Sequence, residues 1–108
     1  MTWILRFKLV DPPFCFQDLI TELSEKDPTF KVVKFTKDEC VIENDSKQQA
    51  FRRGMWIKER LAIMCEDLGL PEEARKAENL FFQVFYRKTH IIKLEKTEGL
   101  EWQLSNGE

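Results

Sequence analysis

Between Gln48 and Gly69 the chain carries one amphipathic stretch, QQAFRRGMWIKERLAIMCEDLG, whose apolar stripe is too wide for a single neighbour. At about 100° per residue, Ala50, Ile57, Leu61, Met64 and Leu68 gather on one side. Phe51, Met55, Ala62 and Cys65 widen that stripe to nearly half the circumference. A helix of this kind needs a sheet beneath one part of the stripe and a second helix against the other. Lys58 falls between the two groups, where its methylenes lie along the seam and its ammonium reaches water. The fold must therefore be layered.

The rest of the chain supplies the layers. In TWILRFKLV, Trp3, Leu5, Phe7 and Leu9 alternate with Thr2, Ile4, Arg6 and Lys8, which predicts a strand buried on one face. DPPF breaks it, and Phe16, Leu19, Ile20 and Leu23 then recur at helical spacing until Asp27-Pro28 ends them. TFKVVKFT and ECVIEN, rich in β-branched and aromatic residues, predict a hairpin turning at Lys37-Asp38. Asp45 to Gln48 and Ser46 to Gln49 both have capping-box spacing at the start of the long helix, and Gly69 closes it. Pro71, Glu72 and Glu73 open another helix. Ala74, Ala77, Phe81, Val84 and Phe85 form its stripe, although residues 80–87 have the composition of a strand. HIIKLEK and LEWQL predict a closing hairpin.

The expected order is β-α-β-β-α-α-β-β in one α+β domain over residues 1–104, with a frayed tail at 105–108. Helices on one face of a mostly antiparallel sheet make a two-layer sandwich. Its first elements resemble, in architecture alone, the split β-α-β of ferredoxin-like domains.

Composition narrows function mainly by exclusion. A formal charge of −2 argues against general nucleic-acid binding, which needs several uncompensated cations together. The amino terminus is interrupted by Arg6 and Lys8 too soon for a signal peptide, and no apolar run approaches a membrane span, so a soluble cytoplasmic protein with no membrane partner is expected. Cys15, Cys40 and Cys65 are odd in number and scattered, without a CxxC pair, and read as reduced thiols rather than a disulfide or zinc framework.

The sequence nominates no cofactor, metal or catalytic residue. His90 is the single histidine, and at the start of a predicted strand it reads as a core or edge residue rather than a general base. Glycines at 54, 69, 99 and 107 are too dispersed to cradle a phosphate. Cys15, near a helix start where the dipole favours a thiolate, is the best nucleophile in the chain, but without a basic neighbour it reads as a small apolar residue. Glu43 and Asp45 share a side of one strand and read as solvated charge.

The exception to the pattern is Trp56. The wet face of the long helix holds Gln49, Arg52, Arg53, Glu59, Arg60 and Asp67, yet Trp56 and Ile63 fall among them on one line. Either another segment of the chain covers them, or Arg52, Arg53, Trp56, Arg60 and Ile63 form an apolar centre with a cationic rim, the composition of a protein–protein hot spot. The expectation is a non-catalytic binding or regulatory module that self-associates, as a homodimer, or binds another protein. Single-stranded nucleic acid, stacked on the indole with arginines on phosphate, is the alternative ligand, and a Cys15-dependent enzyme the third. The sheet face turned from the helices, with Ile4, Arg6, Lys8, Ile91 and Lys93, is a second candidate interface. At least one of Phe30, Val32, Val33 and Phe35 must also miss the core, since that strand is apolar on both sides.

Overall fold

A computed structural model describes residues 2–87. Its elements are β1 (Thr2–Lys8), α1 (Phe16–Lys26), β2 (Lys31–Phe35), β3 (Glu39–Asn44), α2 (Lys47–Asp67), α3 (Pro71–Glu78) and β4 (Phe81–Arg87). The expected closing hairpin, His90 and the tail at 105–108 lie outside the described residues.

The strands form an antiparallel sheet in the order β2-β3-β1-β4. Because β3 pairs between β1 and β2, the β1-α1-β2 unit is split, and the α2-α3 connection returns the chain to the other side of β1. The result is the two-layer α+β sandwich with the partial ferredoxin-like arrangement that the element order implies. Alternation in β1 holds: Leu5, Phe7 and Leu9 join Cys40 and Ile42 of β3 beneath the helices, with Trp3 packed at the edge.

Local chemistry sets the element ends. The Ser46 hydroxyl accepts from the Gln49 amide at 3.0 Å, while the Gln49 side chain accepts from the Asp45 amide at 2.8 Å; of the two candidate caps, Ser46 is the one used. Gly69 takes φ +74° and lets the Gly69 and Leu70 amides reach Glu66 and Cys65 carbonyls, ending α2 in a left-handed turn. The Thr36 hydroxyl accepts from the Asp38 and Glu39 amides and closes the β2–β3 turn.

Phe81–Arg87 is a strand, not the second half of a helix. Asn79 and Leu80 end α3, and the segment then pairs with β1 in the register Trp3↔Tyr86, Leu5↔Val84 and Phe7↔Phe82. The supposed helical stripe of Phe81, Val84 and Phe85 is thus divided between two sheet faces. Phe82 stacks near Phe7 with ring centroids 5.6 Å apart and near Phe51 at 6.0 Å. Gly54 lets α2 settle on this ring, since a β-carbon there would stand 2.6 Å from Phe82 Cε1.

Two further expectations change. Leu68, assigned to the buried stripe, sits at the carboxy-terminal cap of α2 and is exposed. The sheet face away from the helices is not open at its centre: Ile4, Val41 and Phe85, brought together from three adjoining strands, are buried. Around them Arg6 bonds Glu39 at 2.6 Å and Gln83 at 2.9 Å, Lys34 pairs with Glu39, and Arg87 meets Glu43 at 3.1 Å. In β2 two residues are left over: Val33, which stands at a register shift and is half exposed, and Phe35, which is also exposed and meets only the edge of the core at the Phe16 ring, 5.8 Å away.

Candidate docking face

The wet arc of α2 keeps most of the residues the helical period placed there, Gln49 and Arg53 being partly buried. Arg52, Trp56, Glu59, Arg60, Ile63 and Asp67 are all exposed. Trp56 is 46% and Ile63 42% accessible, so among the described residues no segment closes over either. The second sequence candidate, the far sheet face, offers no comparable apolar surface at its centre among the described residues, Ile91 and Lys93 lying outside them.

Beside the indole, α2 and α1 diverge into a groove of about 350 Å³. Leu23, Phe30 and Ile57 supply its apolar lining, and Trp56 forms one wall. This shape arises because α1 ends at Asp27, whose carboxylate accepts from the Thr29 amide at 2.9 Å and hydroxyl at 2.6 Å. The turn swings Phe30 back under the helices. Those two Thr29 bonds, hydroxyl first, hold the Asp27 carboxyl below its ordinary range against the opposing effect of burial, with a lesser contribution from the nearby Arg53.

The arginines do not share one role. Arg53 spans the groove floor, its guanidinium 5.3 Å from the Phe30 ring centroid. It donates to Asn44 Oδ1 at 2.9 Å, to Thr29 Oγ1 at 2.8 Å and to the Thr29 carbonyl at 3.4 Å, with Asp27 at 3.5 Å. Arg53 therefore ties α2 to β3 and to the α1–β2 turn. Arg52 and Arg60 remain on the surface. Arg60 leans toward α1, where it adds to the hydrogen bond and charge of Lys26 in lowering the Glu22 pKa.

Several participants have no local sequence signal. Leu23, Asp27 and Phe30 join Trp56 only because the split topology lays α1 along α2. Phe51 and Met55, expected to face the next helix, are half exposed on the other flank of α2; they stood at the margin of the stripe, where a small helix rotation decides burial.

Cys15, the sequence's best nucleophile, is buried, and its sulfur lies 3.6 Å from that of Cys65. Burial, and then the neighbouring Cys15 thiol, push Cys65 up to about 11; burial pushes Cys40 up to about 12. Among the described residues no helix is long and apolar enough to cross a membrane. Comparisons of the chain with protein-family models, curated proteins and solved structures give no match.

Proposed function

We propose that this chain is a non-catalytic binding module that acts by protein–protein association, docking through the wet face of α2, and that its partner is a second copy of itself. The observation that carries the reading is the half-exposed Trp56 ring, in line with half-exposed Ile63 and beside an apolar groove. Covering the remaining indole surface, roughly 100 Å², contributes about 2.5 kcal/mol per copy at ~25 cal/mol per Å².

Charge order favours self-pairing. Arg52 and Asp67 are equidistant from a point between Glu59 and Arg60, and so are Trp56 and Ile63. A two-fold axis through that point, with the two α2 helices antiparallel, sets Arg52 of each copy level with Asp67 of the other and Trp56 level with Ile63. Glu59 and Arg60, next to the axis, meet their own mates, and this like-charge contact keeps the association weak. Nucleic acid is less well served: Arg53 is already engaged, and Arg52 and Arg60 share the face with Glu59 and Asp67.

Light-scattering mass at low and high protein concentration tests the reading. The mass is expected to rise toward that of a dimer, and the folded Trp56→Ala and Ile63→Ser variants are expected to stay monomeric. Arg52→Glu and Asp67→Lys should each weaken pairing, and their combination should restore it. A monomer mass at every concentration overturns the proposal.

A further inference from the structure

Apart from the docking face, one reactive pair stands in the core. Cys15 caps the start of α1, Cys65 lies in the last turn of α2, and their sulfurs are 3.6 Å apart although 50 residues separate them. The third thiol, Cys40, belongs to the central strand β3. A disulfide has a sulfur–sulfur length of about 2.04 Å, so bond formation requires the two sulfurs to approach by roughly 1.5 Å, a movement of side-chain rotation and small helix adjustment.

The geometry points to Cys15 and Cys65 as a site of reversible oxidative modification that closes to an intramolecular disulfide, with a hydroperoxide as the oxidant. Hydrogen peroxide is scarcely larger than water, which suits a pair as enclosed as this one. Cys15 retains slight exposure whereas Cys65 has none, so Cys15 is the first sulfur an incoming oxidant meets.

In the first step the Cys15 sulfur attacks one peroxide oxygen. The O–O bond breaks, an S–O bond forms, and the departing hydroxide takes the thiol proton and leaves as water. The Cys65 sulfur then attacks the Cys15 sulfur; the S–O bond breaks, and the second hydroxide takes the Cys65 proton. Two thiols have lost two electrons in all, and peroxide has become two waters. The proximity of the second thiol intercepts the sulfenic acid before further oxidation.

Treating the folded chain with hydrogen peroxide and digesting it without reductant tests this. The expected product is a cross-linked pair of peptides containing Cys15 and Cys65, formed equally in dilute protein and released by dithiothreitol. Cys40→Ala, which leaves only this pair, should give the same cross-link. Cys15→Ser should abolish it, and because wild type and Cys40→Ala carry the test, a folding defect in that variant does not obscure the result. Oxidation of Cys15 to sulfinic acid with Cys65 untouched, a cross-link through Cys40, or no reaction while the chain is folded would each overturn the assignment.

Discussion

Two adjacent arginines on α2 illustrate how little a residue type says before its surroundings are known. Arg53 is largely buried, stacked on Phe30 and bonded to Asn44 and Thr29. Truncating it leaves the buried Asn44 oxygen without its donor, so Arg53→Ala is expected to lower unfolding free energy by about 2–3 kcal/mol in urea titration. Arg52 lies one position away on open surface, and Arg52→Ala should change stability by no more than about 0.5 kcal/mol while weakening self-association. Reversal of that contrast would remove Arg53 from its structural role. The place of the indole on the polar side of α2 was legible in the sequence because Trp56 and Ile63 break the helical period there, whereas its exposure was not, since cover by another segment is a tertiary matter. The engagement of Arg53 was not, since Asn44, Thr29 and Phe30 reach it only through tertiary folding.

Elements were readable where one period dominated. The alternation of β1, the cap at Ser46 and the proline-led start of α3 each rest on local chemistry, and the structure places them accordingly. Residues 81–87 satisfied both periods at once: Ala74, Ala77, Phe81 and Val84 fit a helix, whereas Phe82, Val84 and Tyr86 fit a strand. The free edge of β1 decided between them, and that is not a local property. The close seat of α2 on β4 gives a test. Gly54→Ala gains about 1 kcal/mol of helix propensity, but it meets a Phe82 ring that Phe7 and Phe51 flank. Overpacking outweighs the gain, and a net loss of about 1 kcal/mol is expected by denaturant midpoint; pairing it with Phe82→Leu should recover most of it.

The far sheet face gives a pH test at the same scale. Burial raises the Glu39 pKa, but hydrogen bonds and charge from Lys34 and Arg6 outweigh it and hold the carboxyl below its ordinary value of 4.5. A depressed folded-state pKa contributes stability above the ordinary value, and that contribution fades as pH falls through the lowered one. Melting temperature should therefore drop on acidification below about pH 4.5, and drop less steeply in Glu39→Gln. Equal slopes would show that the Arg6–Glu39–Lys34 cluster adds nothing.

For the whole molecule, the Cys15–Cys65 contact was invisible in the sequence for the same reason as the groove: it exists only once α1 lies along α2. Closing a loop of about 50 residues restricts the unfolded chain by about 4 kcal/mol in the chain-entropy picture. The oxidised chain is expected to melt on the order of 10 °C higher than the reduced one by calorimetry. An unchanged or lower transition would mean that the helices must distort to form the bond. Ile63 and Asp67 neighbour Cys65 in sequence but stand on the exposed side of α2 while Cys65 is buried on the other, so the proposed dimer should survive oxidation.

The β2 edge bears on how far assembly goes. Val33 is offset from the ladder, and Lys31 and Lys34 flank it along the outermost described strand. A kinked, cationic margin repels the next chain's backbone, which discourages sheet-to-sheet polymerisation. With strand addition discouraged on that side and the proposed two-fold helix contact used up once made, growth is expected to terminate after one union, and crowding or overexpression should yield discrete pairs rather than fibres.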